Sequence, residues 1–322
     1  MGYGLIAAVM WGLSAVAAAK AARRTGTYLA VLCGQGLGVL SLLVLATAVR
    51  PSFAAVDGTV ALHLAGAGLV GLLGYLCYYR AIEDGPVGLG SAISSTYGGI
   101  AALLAVIVLG ERLGAIGIAG VVLAVAGVAM AIARAAGPAS SAAGPSAVAP
   151  GVPPPGSRQS GLGVGEPIVG VAPVPGRPRR LSRLAIPLAF ASALAYGVGG
   201  FLLGDYSGRA GWLGAALIAH GTSVTALLAV LPLMGRRPAA WRGGANGAAW
   251  AAAAGLTDAA GLLAFARGGQ AGQVAVTAAV SSVYPVIPLA AGLALFGERL
   301  RASQLLGVAL VVAGLVLLGL TA

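Results

Sequence analysis

Residues 93–127 read ISSTYGGIAALLAVIVLGERLGAIGIAGVVLAVAG, and residues 280–314 read VSSVYPVIPLAAGLALFGERLRASQLLGVALVVAG. The second stretch is a copy of the first. Gly110 and Gly297 stand 187 residues apart, and the same offset pairs Ser94 with Ser281, Ser95 with Ser282, Tyr97 with Tyr284, Gly120 with Gly307 and Gly127 with Gly314. Upstream, an offset of 185 pairs Trp11 with Tyr196, Gly12 with Gly197, Lys20 with Asp205 and Gln35 with His220. The chain is therefore one unit used twice, with small gaps reconciling the two offsets. Internal duplication of an apolar chain is a signature of transporter-type membrane folds.

Composition says what kind of unit this is. Of 322 residues 59% are apolar and 8% charged, and the mean hydropathy is +0.96. A soluble domain carries about 25% charged residues. There is too little polar surface here to coat a globule in water, so a soluble enzyme and a disordered chain are both excluded. Glycine is abundant, at 53 residues, but has no period of three, which excludes collagen. The net charge of +11 comes from basic residues lying between apolar runs. That pattern is a topology signal rather than a nucleic-acid patch, and no nucleic-acid partner is expected. Cys33 and Cys77 both fall inside apolar runs and form no disulfide or metal framework. The N-terminal apolar stretch lacks a basic leader, so it reads as a first span rather than a cleaved signal.

A membrane span needs about 20 mostly apolar residues. Such runs lie at 3–20, 27–49, 59–79, 87–109 and 114–133, and again at 184–204, 211–234, 246–266, 273–296 and 302–321. They are too long, and alternate too little, for the strands of a membrane β-barrel. The expectation is an all-α polytopic membrane protein of ten transmembrane helices. Residues 1–134 form one five-helix repeat and residues 183–322 the other. Between them, residues 135–182 are rich in Pro, Gly and Ser and read as a flexible linker. Five is odd, so the second repeat must enter the membrane from the opposite side. The halves are then inverted copies, an architecture that places a binding site at the midplane between them.

Basic residues predict the orientation. Fifteen of the 19 Lys and Arg lie in the linker and the other loops that follow odd-numbered spans, against Arg50, Arg112, Arg209 and Arg267 in the even loops. The positive-inside rule puts the odd loops and the linker in the cytoplasm and both termini outside.

These residues resemble a family. Trp11-Gly12 in the first span with Lys20 at its end, and the recurring Gly-Glu-Arg-Leu before a glycine-spaced helix, are similar to the EamA domain of the drug/metabolite transporter superfamily. The motif stands at Gly110, Glu111, Arg112 and Leu113, and again at Gly297, Glu298, Arg299 and Leu300. The resemblance covers nearly everything except the linker. It implies a ten-span secondary transporter, often an exporter of metabolites or amino acids, that hydrolyses no ATP. Its membrane would be the bacterial inner membrane. It also implies termini inside, opposite to the charge count. In the fourth span Gly98 stands where the resemblance expects proline, although the repeat mate is Pro285.

Ionisable groups at bilayer depth are costly and point to function. Asp258, near the middle of the eighth span, costs about 3 kcal/mol on insertion scales. It reads as a proton or cation coupling site, as a contact to a cationic substrate, or as a protonated carboxyl that only bonds a neighbouring helix. His220 lies mid-span among Thr222, Ser223 and Thr225. It can relay protons with Asp258, line a cavity, or serve as packing. Ser281, Tyr284 and Pro288 share a helical face, which Ser94 and Tyr97 repeat in part. Pro285 and Pro288 should distort their helix and free carbonyls, which points to a pocket over plain interhelical glue. Trp11, Ser14, Gln35, Tyr75, Tyr78 and Tyr196 are further lining candidates, and Tyr75 and Tyr78 can equally anchor at the membrane interface. Glu111 and Glu298 sit just before a helix, where a carboxylate complements the N-terminus, and read as structural. Gly120, Gly127, Gly307 and Gly314 predict close helix packing.

No P-loop, zinc-protease, serine-hydrolase or CxxC motif occurs, so no enzyme activity, cofactor or metal is expected. The expected partners are a small-molecule substrate, a proton or other coupling ion, and the lipid bilayer. The alternative is a receptor or scaffold that keeps the same fold without transport.

Overall fold

The computed structural model describes residues 2–53, 55–110, 114–133, 184–233, 244–271, 274–295 and 302–321. The linker, Glu111–Leu113 and Gly297–Leu300 lie outside the described residues. Twelve helices run in the order α1 (Gly2–Thr25), α2 (Thr27–Val49), α3 (Gly58–Asp84), α4 (Val87–Ser94), α5 (Tyr97–Leu109), α6 (Ala115–Ala133), α7 (Ala185–Ala210), α8 (Trp212–Leu233), α9 (Gly244–Gln270), α10 (Val274–Ser281), α11 (Val286–Leu295) and α12 (Ala302–Thr321), with no strand among the described residues. Among the described residues eight stretches are long and apolar enough to cross a membrane: α1, α2, α3, α4 with α5, α7, α8, α9, and α10 with α11. The apolar helices α6 and α12 add 19 and 20 residues.

Large apolar side chains face outward and polar ones inward, the reverse of a soluble domain. Leu62 is 71% exposed and Ile107 69%, whereas Gln35 is 2% and Asp258 4% exposed. An apolar rim is stable only in lipid.

The same joints recur in both halves. A single glycine at positive φ links α1 to α2 (Gly26, φ 81°) and α7 to α8 (Gly211, φ 72°), a conformation that costs other residues strain. The fourth and ninth predicted spans are each broken at one place, Ser95–Thr96 and Ser282–Pro285. The proline reading accounts for the second break only, because the first has none. The shared cause is hydroxyl competition. Ser95 donates to Ala92 O at 2.8 Å and Thr96 to Ile93 O at 2.8 Å, while Ser281 and Ser282 both donate to Ala278 O at 3.0 and 2.7 Å. Such bonds loosen the i→i−4 ladder. The break also means that Ser281, Tyr284 and Pro288 do not lie along one continuous helix.

Packing is reciprocal between halves, and glycines set the close approaches. A methyl group on Gly255 would lie 2.0 Å from Gly34 O, and one on Gly68 would lie 2.2 Å from Ala219 O. Gly12 meets Ile287 as Gly197 meets Ile100, and Gly261 meets Trp11 as Gly74 meets Tyr196. The helices α6 and α12 meet at the predicted glycines, Gly127 on Gly307 O and Gly314 on Gly120 O. Each pair maps onto the other under the sequence offsets. Small residues let backbones touch, which is the main packing force available between helices in lipid.

Candidate functional site

Two of those glycine contacts build the site. Gly34 precedes Gln35, so the approach of α2 to α9 sets Gln35 beside Asp258, one turn beyond Gly255. Ala219 precedes His220, so the matching approach of α8 to α3 sets His220 one turn from Ser223, which donates to Gly68 O at 2.6 Å. The repeat mates Gln35 and His220 thereby reach the same carboxylate.

Asp258 Oδ2 accepts a hydrogen bond from Tyr75 Oη at 2.6 Å and one from Gln35 Nε2 at 3.2 Å. His220 Nε2 lies 3.4 Å from that same oxygen, near enough for an ion pair but without hydrogen-bond alignment. The Tyr75 bond has the length of a charge-assisted O–H···O⁻ contact. Four helices therefore converge on one oxygen of one buried carboxyl. Two further polar atoms here, Gln35 Oε1 and His220 Nε2, are buried without a hydrogen-bond partner. An orphan of this kind has a desolvation cost of about 1–3 kcal/mol, a load that functional sites commonly carry.

Asp258 and His220 line a central cavity of about 120 Å³. Its walls are aromatic. The first half supplies Trp11, Tyr75, Tyr78, Tyr79 and Tyr97, and the second Tyr196, Phe265 and Tyr284. Neighbouring rings meet almost at right angles: 80° for Trp11 on Tyr97, 78° for Tyr97 on Tyr196 and 77° for Tyr196 on Tyr75. Edge-to-face contacts of this kind stabilise the wall by about 0.5–1.5 kcal/mol each beyond burial.

A second set of bonds holds the rings. Tyr97 Oη and Ser281 Oγ share a hydrogen bond of 2.6 Å across the halves. Tyr284 Oη donates to Ser91 O at 3.2 Å, and Tyr78 Oη pairs with Ser91 Oγ at 2.8 Å. Ser94 pairs instead with Ser192 on α7 at 2.6 Å. Of the residues anticipated from sequence, Trp11, Ser14, Tyr75, Tyr78, Tyr97, Tyr196, His220, Asp258 and Tyr284 lie on the cavity wall. Gln35 stands behind it on Asp258, Ser281 stands behind Tyr97, and Ser94 lies off the wall on Ser192. Lys20 is outside the cavity, 4.1 Å over the Trp250 ring.

Sequence reading underweighted Tyr75, whose hydrogen bond to Asp258 shows only in three dimensions. It passed over Tyr79, Phe265 and Ser91. Spacing was the available signal, since Tyr75, Tyr78 and Tyr79 recur at i, i+3 and i+4, a single helical face. Of the Gly-Glu-Arg-Leu motif the structure describes only Gly110, which ends α5 at φ 70°.

Residues 1–133 and 183–320 both match the EamA-like transporter family. The chain belongs to that family. As an EamA-like protein it is an integral membrane protein of transporter type, in contact with the bilayer and with a small-molecule substrate. The family points to a transporter and not to an enzyme. A protein of known crystal structure is similar over 99% of this chain and 95% of its own, with 19% sequence identity and a TM-score of 0.63. At that identity the likeness concerns the fold alone. No curated protein matches the sequence.

Proposed function

We propose that this EamA-like protein is a secondary transporter that carries small metabolites or amino-acid-like solutes, as an exporter, by alternating access without ATP hydrolysis. The observation that carries the reading is the buried Asp258 cluster, placed in an aromatic cavity where helices of both halves meet. A carboxyl that served only as helix glue would need no cavity beside it.

In this reading the fold has ten spans arranged as two inverted five-helix units, residues 1–134 and 183–322, joined by a linker at 135–182. The reciprocal glycine contacts support it, because a two-fold relation between units of odd span number requires an axis in the membrane plane. Cavity access then passes from one face to the other as the halves rock. A proton is the coupling ion the site can accommodate, since the imidazole of His220 adjoins the carboxyl. The membrane is the bacterial inner membrane, with the linker in the cytoplasm as the basic residues predict.

Counterflow tests the reading. Proteoliposomes preloaded with a mixture of unlabelled solutes should take up a labelled member of the same set faster than protein-free vesicles. A receptor or scaffold with this fold would give no exchange with any solute class.

A further inference from the structure

The cavity carries a chemical preference that transporter function alone does not specify. Among the described residues its wall has one acidic side chain, Asp258, and neither Lys nor Arg. All the polar contacts to that carboxyl fall on Oδ2, whereas Oδ1 receives no hydrogen bond among the described residues. An anionic solute would find no cation to meet it except the imidazole, which Asp258 already engages. Much of the rest of the wall is aromatic, with Trp11 on Tyr97, Tyr97 on Tyr196 and Tyr196 on Tyr75 near right angles and with Trp11 on Phe265 and Tyr97 on Tyr284 tilted. Aromatic π-faces carry negative charge density, and a box of such faces is a site for ammonium groups.

We infer that the solute is a small organic cation, an amine or quaternary ammonium compound, whose charged group seats against Asp258 Oδ1 and whose apolar body lies among the rings of Trp11, Tyr97, Tyr196 and Tyr284. The inference rests on the transporter reading and narrows it. The size of the cavity sets the scale of the ligand. About 120 Å³ is close to the roughly 150 Å³ cavity that takes a benzene ring, so the body is one ring or a short branched chain. The unoccupied carboxylate oxygen is costly at this depth. A bound cation neutralises it, and the walls replace water around the ligand. The cage is built from both halves, Trp11, Tyr75 and Tyr97 from the first and Tyr196 and Tyr284 from the second, so such a ligand would touch both halves at once.

The test uses the full chain in lipid nanodiscs and three probes that share a ring and a two-carbon chain: phenethylammonium, phenethyl alcohol and phenylacetate. Isothermal titration should show phenethylammonium binding about thirtyfold more tightly than the alcohol, with phenylacetate weakest. This series needs no variant, so misfolding cannot disguise the result. Asp258→Asn should then lower phenethylammonium affinity by about tenfold or more and leave the alcohol unchanged. Equal binding of the three probes, a preference for the anion, or an Asn variant that binds the cation like the wild type would each overturn the inference. The two readings fail separately. Counterflow of a neutral or anionic solute, without cation binding, sinks the cation inference and leaves the transporter standing. Tight cation binding without counterflow of any solute keeps the cage and removes transport.

Discussion

At the residue scale, groups of different kinds surround Asp258, and two of them, Tyr75 and His220, invite separate measurements. Tyr75→Phe removes one hydroxyl and leaves the ring in the wall. The Asp258 carboxyl then loses its shortest hydrogen bond, and a bond of that type to a charged group is worth about 1.5–3 kcal/mol. Thermal unfolding in detergent should show a lower Tm for Tyr75→Phe than for Tyr3→Phe, an exposed tyrosine outside the cavity wall. Equal values would mean that the 2.6 Å contact adds nothing to the fold. His220→Gln tests a different property. Gln retains hydrogen-bonding capacity in nearly the same place but cannot take up a proton. Solute exchange should survive, while acceleration by an imposed proton gradient should vanish. If the gradient still accelerates transport in His220→Gln, the imidazole only lines the cavity.

At the scale of elements, glycine contacts bring the helices together and thereby assemble the site. Gly255→Ala puts a methyl group 2.0 Å from Gly34 O, a clash with backbone that no rotamer relieves. The helices α2 and α9 must part, which stretches the 3.2 Å bond from Gln35 to Asp258. Overpacking of this sort costs about 1–3 kcal/mol. Ligand binding should fall together with stability in Gly255→Ala, whereas Gly36→Ala, where a methyl group meets nothing within 4 Å, should change neither. A Gly255→Ala protein with full stability and binding would show that the approach is looser than drawn. The broken spans belong to this scale too. Proline placement announced one break, but Ser95 and Thr96 produce the same interruption without proline. Serine pairs in apolar helices are weak signals one at a time. Their recurrence at matching positions, Ser94-Ser95 and Ser281-Ser282, pointed in the sequence to a pocket face, and the breaks beside them show only in the fold.

At the scale of the whole molecule, charge sets orientation. Single cysteines at Ser146 and Ser157, in a chain lacking Cys33 and Cys77, should resist an impermeant thiol reagent in intact cells and react after the membrane is opened. Rapid labelling in intact cells would place the linker outside and reverse the charge-based assignment. The two halves also differ where it matters. Asp258 has Gly71 as its repeat mate, and Tyr75 has Leu262, so the duplication gives the described cavity wall a single acidic side chain, in one half only.

The membrane class, the duplication and its offsets, and the identity of Asp258 and His220 as misfits in apolar runs were all determined by the sequence alone. These are properties of composition and period, which need no partner to be read. The convergence of Gln35, Tyr75, His220 and Asp258 on one oxygen was decided by tertiary structure. So was the sorting of anticipated residues into wall and support, with Trp11 and Tyr284 on the cavity and Ser94 and Ser281 off it. The physical reason is distance along the chain. Gln35 and Asp258 are 223 positions apart, and Tyr75 and Asp258 are 183 apart. No local propensity links such residues. They meet because glycines on separate helices let backbones touch, and which glycines face one another is settled only when all the helices pack at once.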